Sequence, residues 1–349
     1  MAADLEIIEG EYLRDLLDQP AALERTFEAL DRPKPLLDLA QRLSRGKFQR
    51  VVLTGMGSSF HALHPLNLQL VVHGFTPIMA ETSELIHYGT RLLNPQTLVI
   101  AVSQSGESAE MVRLGEINRK RASVIAVTNT PDSHLAKHAT LALLTRAGRE
   151  FSVSCKTYVA ALMALKWLGD ILCERDARQS HRELRPAAPA VANYLANWKQ
   201  YVPLLAQTLS QVRHLFLVGR GASLAAVGAG ALIVKESDHF QAEGMSSAAF
   251  RHGPMEMLSE ETFVAVFSGD DKTRALNHHL LADIHRGRGR AELVGETSSL
   301  ECFRLPEHSG GIRAILEILP VQMSTLALAA LAGREAGKFV LATKVTTTE

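Results

Sequence analysis

Short β-branched and aliphatic runs alternate along the chain with longer segments whose apolar positions recur at helical spacing, the signature of parallel α/β units. Runs at Arg50–Thr54, Pro77–Ala80, Thr97–Val102, Ser123–Thr128 and Leu141–Thr145 predict one series of strands, and His214–Val218, Thr262–Phe267 and Ala291–Val294 predict a second. Tyr158–Leu172 and Ile312–Leu331 are rich in alanine and leucine and long enough for buried or half-buried helices. Pro320 is expected to kink or split the latter. The polar stretch Cys173–Pro189, which carries arginine and proline, reads as a linker.

The two series are copies of one unit. Val51-Val52-Leu53-Thr54-Gly55-Met56-Gly57-Ser58-Ser59 matches Leu215-Phe216-Leu217-Val218-Gly219-Arg220-Gly221-Ala222-Ser223 in residue type at nearly every place: an apolar strand, Gly-x-Gly, then small residues opening a helix. A length of 349 residues accommodates two domains, each with its own core. Gly-x-Gly after a first strand begins the dinucleotide fingerprint, but the third glycine is missing in both copies and no acidic residue closes the next strand. A Walker A loop is absent as well, so nucleotide binding is the weaker reading.

Charge narrows the function. Lysine plus arginine and aspartate plus glutamate both number 37, and no basic block appears, so neither nucleic acid nor an anionic membrane is the expected partner. Cys155, Cys173 and Cys302 are widely spaced, which fits a reducing compartment better than a disulfide framework or zinc ribbon. The acidic start Met1–Gly10 lacks the basic and apolar regions of a signal peptide, and apolar stretches such as Thr157–Leu172 are too short or mixed to span a bilayer. A cytoplasmic location is expected, with a small molecule as ligand.

Three places can carry chemistry. Ser103-Gln104-Ser105-Gly106-Glu107-Ser108 follows an apolar strand and precedes a helical pattern, presenting hydroxyls and backbone N–H groups at a positive helix end. Serines there also simply cap helices. Ser58-Ser59 opens the helix of a neighbouring strand, however, so the two loops can converge on one phosphate. In Lys235–Pro254, Glu236 and the His252-Gly253-Pro254 turn could supply a base and an acid. Alone, a histidine before Gly-Pro is more often a turn residue. No metal is expected, because His239 and His252 lack ligand spacing. The tail Ala342–Glu349 reads as a frayed end, except that its β-branched residues suit an ordered segment able to carry Lys344 into a site as an imine-forming amine.

Taken together, Gly57-Ser58-Ser59, the Ser103–Ser108 loop, Glu150 with Val153, Lys235-Glu236, Arg251-His252-Gly253-Pro254 and the Lys344 tail resemble the sugar-isomerase (SIS) family. Specifically, they resemble the isomerase half of glucosamine-6-phosphate synthase (glutamine-fructose-6-phosphate aminotransferase) and stand-alone SIS-type glucosamine-6-phosphate deaminases. The likeness runs from about Tyr12 to the end of the chain. It implies two tandem SIS domains, each a doubly wound, mainly parallel α/β sheet flanked by helices, with a C-terminal tail. The expected boundaries are an N-terminal helical segment over residues 1–35, SIS domains over 36–190 and 191–335, and a tail over 336–349. By the resemblance, Ser58, Ser59, Ser103, Gln104, Ser105 and Ser108 hold a phosphate, and Gly57, Val153 and Lys235 also meet the substrate. Glu236 moves a proton between carbons 1 and 2, and His252 opens the sugar ring from across an obligate homodimer. Lys344 forms an imine with the open-chain ketose, and no cofactor is implied.

The departures bear on the reaction. The chain begins Met1-Ala2-Ala3 with no N-terminal cysteine nucleophile, so a glutaminase half is not expected. Ile233 and Gln241 stand where the synthase carries lysine and histidine, and Cys155-Lys156-Thr157 departs from the family's Ser-Thr-Lys wording. The expected function is therefore isomerising deamination of glucosamine 6-phosphate to fructose 6-phosphate and ammonia. The alternatives are a deglycase of a 6-phosphorylated fructosamine conjugate, simple aldose–ketose phosphosugar isomerisation, and a non-catalytic sugar-phosphate sensor. The last would need a helix-turn-helix module, for which residues 1–49 are too few and too acidic at the start.

Overall fold

A computed structural model describes residues 5–307 and 310–348; Met1 to Asp4 and Glu349, at the ends of the expected N-terminal segment and tail, lie outside the described residues. The chain divides into two compact units. As far as described, one contains Ala21–Arg149, Lys156–Pro186 and Ala342–Glu349; the other contains Met1–Pro20, Glu150–Cys155 and Ala187–Leu341.

The first unit is built on β1 (Arg50–Gly55), β2 (Pro77–Glu81), β3 (Thr97–Val102), β4 (Ser123–Thr128) and β5 (Leu141–Leu144), in the order β2-β1-β3-β4-β5. Every pairing is parallel. The middle strands β1, β3 and β4 are buried almost throughout, as near-continuous apolar runs require, whereas the edge strands β2 and β5 are half-exposed. Val52, Val99, Ala101, Val124 and Ala126 pack with Leu85, Met111, Leu114 and Leu135 of the covering helices. The helix Lys156–Leu172 is buried along nearly its whole length, starting two residues earlier than its alanine-rich pattern indicated.

That helix carries Asp170, which is 0% exposed. Burial alone would raise this carboxyl, but bonds from Lys166 (2.5 Å), Ser180 and Gln69 (2.7 Å) outweigh it, and Arg175 adds a contact at 3.0 Å; the group stays charged below its ordinary range. The expected linker does contain the boundary between the two units, at Pro186 and Ala187, but it is helical and not irregular. Ala177–Leu184 is helical, with the Asp176 carboxylate accepting the Arg178 amide at 3.0 Å, and a second helix runs over Ala187–Leu195. Asp176 is an N-cap signal that the polar composition of the stretch masked.

The second unit holds β6 (His214–Gly219), β7 (Ala242–Ser246), β8 (Thr262–Phe267) and β9 (Arg290–Val294), all parallel, in the order β7-β6-β8-β9. Strand β7 was not expected, since Ala-Glu-Gly-Met-Ser carries no β-branched residue. Its glycine is a packing requirement: a Cβ on Gly244 would sit 2.4 Å from the Val227 carbonyl oxygen in the helix Leu224–Asp238. Phe216, Val218, Phe250, Val264, Val266, Leu280, Ile284 and Leu293 form the core on one face.

Pro320 splits the C-terminal apolar stretch instead of kinking it. Arg313–Leu316 ends, and Leu319–Ala332 begins with the proline in its first turn, where a missing N–H costs nothing. Gly310–Ala332 is long and apolar enough to cross a membrane, but 89% of that window is buried inside the fold, as befits a core helix. The N-terminal segment docks within the same unit. Tyr12 Oη lies 3.2 Å from Thr325 Oγ1, and the side-chain amides of Gln19 and Gln322 exchange bonds of 2.9 and 3.1 Å.

Candidate functional site

In the first unit, Gly55 pairs with Val102, so β1 and β3 end side by side and release Met56–Ser59 and Ser103–Ser108 from adjacent strand ends. The strand order reverses between these two strands, which is where open parallel sheets take ligands. Met56 is extended, Gly57 has φ +52°, and the helix Gly57–His61 starts at once with Ser58 buried and Ser59 half-buried.

The Ser103–Ser108 loop is wound around its own amides. Ser103 Oγ accepts the Gly106 amide at 3.0 Å, and Ser105 Oγ accepts the Glu107 amide at 3.2 Å. A hydroxyl that accepts a backbone N–H retains its O–H for donation. The Gln104 carbonyl accepts from the Asn129 amide at 3.0 Å and the Thr128 hydroxyl at 3.2 Å, which fixes the peptide at the strand end. Gly106 is required twice: its φ is +65°, and a Cβ would fall 2.3 Å from Ser133 Oγ.

Ser108 occupies the N-cap position of the helix Ala109–Asn118 and makes no capping bond; its Oγ is buried with no hydrogen-bond partner. That distinguishes it from Ser133 and Ser246, whose side chains cap their helices in the ordinary way. The Ala109 amide, at the same helix start, donates to the Thr346 carbonyl at 3.1 Å. The tail, far in sequence from this loop, is thus held at the helix end that follows β3, and Lys344 lies two residues from the contact. A role for the Thr346 main chain carried no sequence signal, because any residue has a carbonyl.

The remaining predicted residues belong to the second unit. Glu236, half-buried, and Lys235, exposed, lie in the last turns of the helix Leu224–Asp238, which ends at His239 in the left-handed conformation. Lys235 also lines a groove of about 510 Å³ with His214, Phe240, Glu243 and Met257. His252 is exposed at the C-cap of the helix Ser247–Arg251, followed by Gly253 with φ +136°, a conformation only glycine takes readily. Arg251 bonds Asp283 at 2.5 Å and fixes the base of that turn. Val153 is fully buried, in a segment where the Glu150 carboxylate accepts the Cys155 amide at 2.9 Å. Ile233 is buried and Gln241 exposed.

Two other chemistries find little support. Burial pushes the Cys173 thiol up to about 11 and Cys302 to about 12, so neither is a ready thiolate. Among the described residues, no group of three or more His, Cys, Asp or Glu is placed to hold a metal ion.

Residues 46–169 and 208–290 match the SIS domain family. The chain belongs to that family. Its two parallel sheets, with their helices on both faces, are tandem SIS domains, and the Gly55–Met56–Gly57 loop after β1 and the Gly219–Arg220–Gly221 loop after β6 are corresponding parts of the two SIS sheets. Among relatives, the chain is 27% identical over 344 residues to glutamine–fructose-6-phosphate aminotransferase [isomerizing] of Thermococcus kodakarensis, a match covering 93% of this chain and 56% of that protein. The chain therefore spans about half the length of that relative. The C-terminal domain of glucosamine-fructose-6-phosphate aminotransferase from Francisella tularensis superposes with a TM-score of 0.78 at 20% identity, covering 95% of this chain and 98% of that one. Glucosamine-6-phosphate deaminase from Thermotoga maritima gives 0.73 at 19% identity, covering 97% and 100%. At these identities the structural likeness is one of SIS fold.

Proposed function

We propose that this SIS protein is a phosphosugar enzyme that binds a hexose 6-phosphate through Ser58, Ser59, Ser103, Gln104, Ser105 and Ser108 and deaminates glucosamine 6-phosphate to fructose 6-phosphate and ammonia. The observation that carries the reading is the buried, unpartnered Ser108 hydroxyl at a helix N-terminus, beside Ser103 and Ser105, whose O–H groups remain available. Neutral donors at a positive helix end suit a phosphomonoester that must also be released. The names of the relatives, which act on fructose 6-phosphate or glucosamine 6-phosphate, supply the sugar class.

In this reading, His252, contributed by the second chain of a homodimer, delivers the proton that opens the sugar ring. Glu236 takes the proton from carbon 2 and returns it to carbon 1 through an enolamine, leaving an imine at carbon 2. Water adds to that imine and ammonia departs, so atoms and charge balance without an oxidant. Lys344 can take the place of that water, forming the imine with the open-chain ketose as ammonia departs, and water then hydrolyses this imine to free the ketose and the amine. Gly57, Val153 and Lys235 complete the substrate contacts.

The deciding assay incubates the protein with glucosamine 6-phosphate and, separately, with 6-phosphorylated fructosamine conjugates, and measures ammonia, fructose 6-phosphate and free amino acid. Ammonia and fructose 6-phosphate in equal amounts support deamination. Amino acid released from the conjugates without ammonia from glucosamine 6-phosphate replaces it with the deglycase reading.

A further inference from the structure

The second SIS sheet reverses its strand order between β6 and β8, the place where open parallel sheets take ligands, and the proposed reaction uses no residue of the loops there. The loops leaving those strands are Gly219–Arg220–Gly221 and Ser268–Gly269–Asp270. Gly221 has φ +60° and Gly269 φ +74°, so both loops turn in the conformation that glycine permits. Where the other copy of the repeat has Met56, this copy has Arg220, and Arg274 opens the helix that follows β8.

A buried carboxyl completes the cluster. Glu317 is 1% exposed; its Oε1 accepts the Ser223 hydroxyl at 2.8 Å, and its Oε2 has no partner. Arg313, Glu296 and Asp270 act electrostatically on Glu317, while Glu296 pairs with Arg313 and feels Arg274. Arg220 Nε, Arg274 Nε and Arg313 Nη1 are likewise buried without partners. A purely structural network would satisfy these atoms, since a polar atom buried without a partner carries an uncompensated desolvation penalty. Arg274 Nη2 also pairs with Asp271 at 3.0 Å; a bare anion would thus meet four carboxyl groups, Glu317, Glu296, Asp270 and Asp271, so guanidinium groups interleaved with carboxylates suit a ligand that carries both a phosphoryl group and hydroxyls.

We propose that this cluster is a second ligand site, taking a sugar phosphate with its phosphoryl group on Arg220, Arg274 and Arg313 and its hydroxyls on Glu317 and Asp270. The site is independent of the serine loop and of any reaction there.

Isothermal titration with fructose 6-phosphate tests it, using a chain that carries Ser103→Ala and Ser105→Ala to disable the first site. One site per chain is expected to remain, weakened at least tenfold by Arg220→Met, which installs the residue of the other copy, and similarly by Glu317→Gln. A cooperative thermal transition without ligand confirms that these variants fold. No heat in the Ser103→Ala/Ser105→Ala background, or binding indifferent to both further variants, overturns the proposal. Inorganic phosphate binding as tightly as the sugar phosphate overturns the assignment of hydroxyls to the carboxyl groups. If instead the serine-loop reading is the one at fault, the parent and the Ser103→Ala/Ser105→Ala chain titrate alike and Arg220→Met still weakens both.

Discussion

The Ala109 amide donates to the Thr346 carbonyl at 3.1 Å, joining the C-terminal tail to the helix start beside Ser108. One main-chain bond thereby holds a segment that, as an isolated terminus, would fray. It also keeps Lys344 on an ordered piece of backbone in the same unit as the serine loop.

If that placement serves an imine, borohydride reduction in the presence of fructose 6-phosphate should attach one sugar phosphate to the parent chain, seen as a mass increase on the peptide containing Lys344. Lys344→Ala should give no adduct while keeping the parent thermal midpoint. An adduct that persists in the variant assigns the amine elsewhere.

Ser108→Ala separates capping from binding. Removing a capping hydroxyl costs about 1 kcal/mol of stability, but Ser108 makes no capping bond. The variant should therefore be no less stable than the parent in urea titrations, because the hydroxyl it removes is buried without a partner. Affinity for a hexose 6-phosphate should fall about tenfold, the size of one hydrogen bond to a charged group. Lost stability with unchanged affinity would return Ser108 to an ordinary cap.

Gly106→Ala should damage both properties. The added Cβ meets Ser133 Oγ at 2.3 Å in a backbone conformation with φ +65°. A loss of about 1–3 kcal/mol is expected from such overpacking, together with weaker sugar-phosphate binding in the same titration.

Glu317 gives the fold a pH signature. Burial raises its carboxyl to about 7, against the opposing bond from Ser223 and the opposing charge of Arg313, with Glu296 and Asp270 adding to the rise. The folded state therefore holds a proton that the unfolded chain has already released. The contribution is complete below the ordinary value of 4.5, declines as pH rises from there to about 7, and is gone above it. A shift of this size corresponds to about 3 kcal/mol. Urea midpoints of the parent should fall across that window more steeply than those of Glu317→Gln; parallel curves would contradict the assignment.

Proton transfer is tested separately. Glu236→Gln should abolish deuterium exchange at carbons 1 and 2 of the sugar, with sugar-phosphate affinity within about twofold of the parent because the serine loop is untouched, a change well under 1 kcal/mol. Exchange at the parent rate would remove Glu236 from the reaction.

The sequence alone determined the sheets and their duplication. Apolar runs buried on both faces, such as Thr97–Val102, and the repeated Gly-x-Gly turn are local signals that any parallel α/β packing must honour. The placement of Ser103–Ser108 between a strand and a helix was legible too, because an apolar run ends there in Ser-Gln-Ser-Gly and a helical pattern follows. Tertiary structure decided what depends on contacts distant in the chain. Strand β7 forms by pairing with β6 beneath the helix Leu224–Asp238, which leaves no room for a Cβ at Gly244, and not because Ala-Glu-Gly-Met-Ser prefers to extend. Ser108 proved to be no ordinary cap only once its neighbours were in place, and Thr346 acts through a carbonyl that every residue owns. Glu317 carries no signal in the sequence; its burial beside Ser223 is a product of the fold, and its hold on a proton comes from the desolvation that only a folded interior imposes.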